Sequence, residues 1–232
     1  MPSLKFTARQ ITDAASTQSQ CAVVPLFKDK NLRAAAAQLN KTGKGAIKTA
    51  LDLGDFTGDA GQTAQLIGIG KAKRVLLIGC GDADKFNRDA ARSFCSALYR
   101  ALNTTSATEA TLYLDNIKVK DADDSWLLEQ VARTLTTSSY RYTETLSKPK
   151  PPMKLGRLVV SASARLKGRT AQNSLNQGHS TGLGINDARE LANLPGNICT
   201  PSYLAKQARK LARGVDKLKV QVLEEKKMRE LG

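Results

Sequence analysis

The sequence predicts a layered α/β fold built on a mainly parallel sheet. Short apolar, often β-branched runs recur along the first two-thirds of the chain, and several segments between them carry apolar residues at helical spacing. Strands and helices that alternate at this length are typical of parallel sheets covered by helices. The apolar and charged contents, 41% and 25%, are ordinary for a globular protein, so extended disorder is not expected.

The strands are predicted from apolar or alternating runs. Residues 21–27 (CAVVPLF) indicate a buried strand, and Pro25 suggests that this strand lies near an edge of the sheet. Residues 74–78 are continuous enough to form a central strand. The other predicted strands are residues 4–7, 63–69, 110–114 and 158–160.

The helices are predicted from composition and spacing. Asn31 is a predicted N-cap for a helix that runs through the alanines to Leu39. Residues 43–61 mix a short helical segment with glycine turns. Apolar residues at helical spacing predict two further helices, over residues 87–102 and 125–138.

The end of the chain has its own pattern. A helix that Pro195 ends is followed by a short connector, and Thr200 before Pro201 is a standard helix start. The new helix has one apolar face, formed by Leu204, Ala208, Leu211 and Val215. Residues 220–223 then alternate like a strand, and residues 224–231 predict a last helix.

Three stretches carry a resemblance to a known family. Residues 190–195 (ELANLP), with Asn197, Thr200–Pro201 and Leu204–Ala205, resemble the signature with which leucyl (cytosol) aminopeptidases enter their catalytic domain. Residues 74–81 (RVLLIGCG) resemble the central strand and glycine turn of that family's N-terminal domain. Residues 224–232 (EEKKMRELG) resemble the segment just before its metal-binding half. The likeness is greatest to the bacterial aminopeptidase A branch.

The resemblance implies a domain organisation. Residues 1–169 are expected to form a macrodomain-like N-terminal domain, residues 170–193 a linker helix, and residues 194–232 the start of an α/β metallopeptidase domain. Helix propensity alone does not decide whether residues 170–193 form a helix, because Gly178, Gly182 and Gly184 each disfavour helix by about 1 kcal/mol. Even so, one helix face could be narrow enough for close packing: Leu175, Gly178, Gly182, Ile185, Ala188 and Ala192.

The resemblance also implies an activity. Leucyl aminopeptidases use two divalent metal ions, zinc or manganese, to remove N-terminal residues such as leucine from peptides. They are cytoplasmic homohexamers, about twice as long as this chain, and their ligands follow the point that corresponds to Gly232. No catalytic, metal-binding or cofactor-binding residue is therefore assigned here, and these 232 residues alone are expected to be inactive and to bind no metal.

The charge allows a second class of function. There are 36 basic and 21 acidic residues, a formal net charge of +15. Such a surface could bind DNA, as some bacterial members of the family do, or it could be an ordinary solvated surface. Eight basic residues lie within residues 141–169: Arg141, Lys148, Lys150, Lys154, Arg157, Arg165, Lys167 and Arg169. A second basic stripe comprises Lys206, Arg209, Lys210, Arg213 and Lys217.

Three smaller features each have a functional and a structural interpretation. The turn Gly79–Cys80–Gly81 could cradle a phosphate, and macrodomains, which the family's N-terminal domain resembles, bind ADP-ribose; a purely structural turn is the alternative. Asp121, Asp123 and Asp124 could ligate a divalent ion, or cap the helix that follows. His179, the sole histidine, has no companions at ligand or triad spacing and is interpreted as a polar residue on the linker helix.

The cysteines and the apolar runs indicate the compartment. Cys21, Cys80, Cys95 and Cys199 are scattered without paired spacing, which favours free thiols over disulfides. No apolar run approaches the roughly 20 residues of a membrane helix. The first ten residues lack the apolar core of a secretion signal, so the sequence predicts a cytoplasmic protein without a membrane partner.

Overall fold

The structure is a computed structural model that describes residues 4–115 and 117–232. The described chain divides into two compact units. The first contains the chain up to Arg141 together with Pro149–Ile185, and the second contains Tyr142–Lys148 with Asn186–Gly232.

One six-stranded sheet forms the centre of the first unit. Its strands are β1 (Lys5–Arg9), β2 (Ala22–Leu26), β3 (Thr63–Ile69), β4 (Ala72–Gly79), β5 (Glu109–Tyr113) and β6 (Arg157–Ser161). Their order across the sheet is β1-β6-β5-β2-β4-β3, and every neighbouring pair is parallel except β3 with β4. The predicted mainly parallel α/β fold is confirmed.

Helices cover both faces of this sheet. They are α1 (Ala35–Thr42), α2 (Ala46–Asp52), α3 (Arg88–Asn103), α4 (Asp124–Ser138) and α5 (Gly168–Asn193). Leu39 of α1 and Ile47 of α2 pack on one face, against Val75 of β4. Leu98 of α3, Leu128 of α4 and Leu175 of α5 belong to the core on the other face. Each such fully buried side chain contributes roughly 1.5–3 kcal/mol of hydrophobic stabilisation.

Pro25 lies in a central strand, so the near-edge prediction is wrong. β2 pairs with β4 along its whole length but with β5 only as far as Val23. The Leu26 carbonyl accepts from the Cys80 N–H on the β4 side, and main-chain groups of successive strand residues face alternate sides. The nitrogen of Pro25 therefore faces the β5 side, beyond the last paired residue, and its missing N–H costs the ladder no hydrogen bond.

The predicted cap of α1 is also wrong. The residue before α1 is Ala34, which has a φ of +42° and no side-chain acceptor. Asn31 instead donates to the Asp29 carboxylate from its backbone N–H (3.0 Å) and from its side-chain amide (2.9 Å). An Asn that bonds locally within a turn is no longer available to a helix terminus.

Gly178 and Gly182 of α5 form the narrow, closely packed part of the face that the sequence suggests. A Cβ atom added at Gly178 would lie 2.1 Å from the backbone oxygen of Glu129 on α4. One added at Gly182 would lie 2.7 Å from the Cβ of Thr136, also on α4. The absence of side chains lets the two helices approach closely, which offsets the low helix propensity of glycine.

The second unit contains α6 (Pro201–Arg213) and α7 (Glu225–Leu231). The predicted start of α6 is confirmed, because the Thr200 hydroxyl accepts from the Tyr203 N–H at 3.2 Å. No residue of α6 is buried in the described chain, and on its apolar face Leu204 and Leu211 are 44% and 60% exposed.

The prediction of a strand at residues 220–223 is wrong. Within the described second unit these residues adopt no strand, although the helix predicted after them is present as α7. Alternating side chains specify which face of a strand would be buried, but they supply no neighbour for its main-chain groups. A strand requires that neighbour.

None of the helices described in residues 4–115 and 117–232 is both long and apolar enough to cross a bilayer.

Candidate functional site

The turn Gly79–Cys80–Gly81 has no backbone donor to offer an anion. The three N–H groups donate to backbone carbonyls: Gly79 to Gln62 (2.8 Å), Cys80 to Leu26 (2.8 Å) and Gly81 to Gly58 (2.9 Å). Gly81 has a φ of +74°, which favours glycine, and Gly79 lies against the backbone of Asp59. The turn therefore joins the end of β4 to the loop before β3, and this geometry supports its structural interpretation.

The aspartates of the acidic cluster cap two helices. The Asp123 carboxylate accepts from the Trp126 N–H and from the Ser125 hydroxyl, both at 2.7 Å, at the start of α4. Asp121 accepts from the Arg88 N–H at 2.9 Å, at the start of α3. These hydrogen bonds hold the pKa of Asp123 below its usual value, with the Trp126 N–H as the largest cause. Over the described ranges, no three His, Cys, Asp or Glu residues converge as a metal-binding group.

His179 joins α5 to α4 and to β1. Its Nδ1 lies 2.9 Å from the Thr136 hydroxyl, and its ring is tilted against that of Phe6 with centroids 5.3 Å apart. Burial lowers the pKa of His179, so the neutral imidazole is favoured in the folded chain. This packing supports the interpretation of His179 as a polar residue of the linker helix.

The cysteines are free and three are buried. Burial raises the pKa of Cys21 to about 11 and that of Cys95 to about 12, and it also raises the pKa of Cys80. These groups are therefore thiols at neutral pH, and poor nucleophiles.

The predicted basic segment is only partly held by specific contacts. The Arg141 guanidinium donates to the Tyr99 hydroxyl at 2.7 Å, and Arg157 pairs with Glu109 at 3.3 Å. The other six basic residues of this segment are exposed: Lys148, Lys150, Lys154, Arg165, Lys167 and Arg169. The basic residues of the stripe on and after α6 are exposed as well.

A cavity of about 290 Å³ lies at the carboxyl ends of β2, β5 and β6. In open α/β sheets ligands bind in the crevice where neighbouring strands connect in opposite directions. That reversal occurs between β2, whose chain continues towards β4, and β5, whose chain continues to β6. The cavity therefore occupies the place where the fold itself favours a ligand.

Asp115 lines this cavity together with two more deeply buried polar residues, Tyr113 and Ser163. It is half-buried beyond the end of β5, and the Ser161 hydroxyl of β6 donates to its Oδ1 at 2.6 Å. Burial raises the pKa of Asp115, although the Ser161 hydrogen bond opposes that rise. The carboxylate keeps further lone pairs that can accept from a ligand.

The mouth of the cavity is more polar. Three cations, Arg33, Lys118 and Arg165, are exposed along it. The first residues of α1 also line it; no side chain caps this helix, although the Ala36 N–H donates to the Arg33 carbonyl at 3.0 Å. A helix N-terminus without a cap carries a partial positive charge.

Sequence reasoning did not identify this cavity. Its charged residues come from three separate loops, and no spacing in the sequence relates Arg33 to Asp115 or Arg165. The position of these residues in the sequence was the available signal: each follows a predicted strand, and polar residues that follow parallel strands meet at one edge of a sheet. Using that signal requires the strand order, which the pattern of apolar runs does not contain.

The chain is similar to known proteins in sequence and in structure. A profile described as "Cytosol aminopeptidase family, N-terminal domain" matches residues 23–149. A probable cytosol aminopeptidase of Alkalilimnicola ehrlichii is 39% identical over 222 residues, which cover 94% of this chain and 45% of the relative. Another, of Nitrosospira multiformis, is 39% identical over 239 residues, covering 99% and 45%. The chain thus spans less than half the length of these relatives.

Solved structures share the fold at lower identity. A mutant of tomato leucine aminopeptidase superposes with a TM-score of 0.77 at 19% identity, covering 99% of this chain and 46% of that chain. A bottromycin maturation enzyme superposes with a TM-score of 0.70 at 21% identity, covering 92% and 41%. At such identities the likeness shows the fold.

Proposed function

Because the chain belongs to the cytosol aminopeptidase family, we propose that it is the N-terminal portion of a two-metal leucyl aminopeptidase, which hydrolyses leucine and similar residues from the N-termini of peptides. The match of the family's N-terminal domain to residues 23–149, more than half of the 232 residues, carries this proposal. The relatives called probable cytosol aminopeptidase align with nearly the whole chain and are more than twice as long.

The domain organisation is part of the proposal. Residues 1–169 are the N-terminal domain, residues 170–193 the linker helix, and residues 194–232 the start of the catalytic domain. The sheet with its covering helices supports the first of these, and the unbroken α5 from Gly168 to Asn193 supports the second. The division between the two compact units falls at Ile185, within the proposed linker.

The residues of this chain do not fit the two metal ions, zinc or manganese, that such an enzyme uses. Two of the three clustered aspartates, Asp121 and Asp123, are occupied by backbone N–H groups, and the three residues do not form a ligand group in the described structure. The metal ligands and catalytic groups are therefore proposed to lie in the further part of the protein. The parent enzyme is proposed to be a cytoplasmic homohexamer.

The activity proposal has a direct test. We expect the purified 232-residue chain, supplied with Zn²⁺ or Mn²⁺, to show no metal-dependent hydrolysis of leucine p-nitroanilide, because both metal sites are missing from it. A longer protein that continues past Gly232 into closely spaced Lys, Asp and Glu residues is expected to hydrolyse it under the same conditions. Chelator-sensitive hydrolysis by the 232-residue chain alone would contradict the assignment.

DNA binding is a second candidate function, favoured by the exposed basic stripe on and after α6 and by the net charge of +15. We expect a triple variant of Lys206→Gln, Arg209→Gln and Lys210→Gln to weaken duplex DNA binding. It should lower the slope of log affinity against log salt by about 2–3, if each cation contacts one phosphate. The measurement is fluorescence anisotropy with a labelled duplex across a salt series.

A charge-matched control separates a local interface from general attraction. Lys41→Gln, Lys44→Gln and Lys48→Gln remove the same charge from exposed positions on and between α1 and α2. Equal losses from the two triple variants, or no binding by the unmodified chain at low salt, would remove this candidate. An ADP-ribose-type ligand is not proposed at Gly79–Gly81, because its N–H groups are already bonded.

A further inference from the structure

The cavity at the carboxyl ends of β2, β5 and β6 is lined by carboxylates and cations that differ in exposure. Asp115 is half-buried in its wall, which also contains the buried polar residues Tyr113 and Ser163, whereas Arg33, Lys118 and Arg165 are exposed. We propose that this cavity binds a free α-amino acid with an aliphatic side chain, whose ammonium group contacts Asp115 and whose carboxylate contacts the cations at the mouth. The proposal is independent of the aminopeptidase activity.

The surroundings of the half-buried Asp115 carboxylate suit a cationic donor. Oδ1 of Asp115 accepts one hydrogen bond, from Ser161, and the remaining lone pairs of the carboxylate require donors. An ammonium group supplies three N–H donors and a compensating charge, which a half-buried carboxylate needs more than an exposed one does. A ligand with an acceptor at this position would leave the carboxylate with only its hydrogen bond from Ser161 and without a compensating charge.

The mouth suits a carboxylate. The Arg33 guanidinium has one acidic neighbour, Asp29 at 3.6 Å, in a pair that is largely exposed and therefore weak. Arginine binds carboxylates through two parallel N–H groups, and the uncapped start of α1 adds positive potential on the same side.

The overall charge of the walls selects a neutral ligand. Asp29, Asp115 and Asp124 balance the three cations, so a dianion such as phosphate would meet as many carboxylates as cations. A zwitterion can place each of its charges against the opposite one. The wall also contains the buried apolar residues Val24, Leu26 and Ile117, which suit an aliphatic side chain.

The test is a titration of the 232-residue chain with L-leucine, followed by amide chemical shifts in ¹⁵N-labelled protein. We expect saturable shifts at residues around Asp115, and binding at least about tenfold weaker in Asp115→Asn, which loses the charge but keeps an acceptor for Ser161. Asp52→Asn, on the exposed end of α2, is the matched control and should bind leucine as the unmodified chain does.

Ligand analogues test each end separately. Isocaproate lacks the ammonium group and isoamylamine lacks the carboxylate, so both are expected to bind at least about tenfold more weakly than leucine. The proposal is overturned if leucine causes no saturable shifts, if Asp115→Asn binds it equally well, or if inorganic phosphate binds more tightly than leucine. Since the catalytic half is not needed, none of these outcomes affects the proposed function.

Discussion

Replacing Gly178 with alanine is expected to lower the free energy of unfolding of the first unit by about 2–3 kcal/mol. The new methyl carbon would lie 2.1 Å from the Glu129 carbonyl oxygen and 2.8 Å from its carbonyl carbon. Both are backbone atoms of α4, so relief requires the two helices to separate. That separation loses packing along the whole contact and exceeds the roughly 1 kcal/mol that alanine contributes to helix propensity.

Thermal unfolding followed by circular dichroism measures this effect. A loss of that size corresponds to a fall in Tm of about 5–10 °C for a unit of this length. Gly184→Ala is the control, because it lies on the same helix and its added Cβ meets no atom within 4 Å. It should leave Tm unchanged or raise it. A Gly178→Ala protein as stable as the unmodified chain would show that α5 does not pack on α4 as described.

Replacing Gly79 with alanine is expected to be the most damaging single change in the sheet, at about 3 kcal/mol or more. The methyl carbon would lie 1.9 Å from the Asp59 carbonyl oxygen and 2.8 Å from the Gly58 carbonyl carbon. The loop would have to move away from the end of β4. The hydrogen bond from the Gly79 N–H to Gln62 and the one from Gly81 to Gly58 would then be strained or broken.

The midpoint of urea unfolding checks this prediction. The control is Gly156→Ala, which immediately precedes β6 and whose added Cβ would be 3.8 Å from the Thr108 carbonyl, an ordinary contact. The free energy of unfolding obtained from its urea curve should differ from that of the unmodified chain by no more than about 0.5 kcal/mol. Increased amide exchange around Gln62 in Gly79→Ala would locate the damage to the loop, whereas an unchanged midpoint would contradict the close approach.

Local patterns predicted most of the elements. The apolar run before Gly79 became β4, and helical spacing placed α3 and α4 within one or two residues of their observed bounds. Thr200 was identified as a cap because its hydroxyl acts on an N–H three residues away. Such signals succeed because the residues that decide them are neighbours in the chain.

Predictions failed, or could not be made from the residues alone, where the structure of a segment depends on contacts with distant parts of the chain. Pro25 suggested an edge, but its strand is central, between β5 and β4; the proline is tolerated because β5 stops pairing before it is reached. Residues 220–223 alternate as a strand would, yet they have no strand neighbour in the described chain. The helical state of residues 170–193 was inferred from the family resemblance, because the contact of Gly178 with α4 cannot be read from propensity.

The sequence by itself determined the fold class, the family and the starts of α3, α4 and α6, because hydrophobic period, capping chemistry and motif identity are written in consecutive residues. Only the tertiary structure decided the strand order, the contact of Asp121 with the start of α3, and the cavity that brings Arg33, Asp115 and Arg165 together. Those features depend on which remote segments become neighbours. That is set by the packing of a whole sheet between its helices, and no local run of residues specifies it.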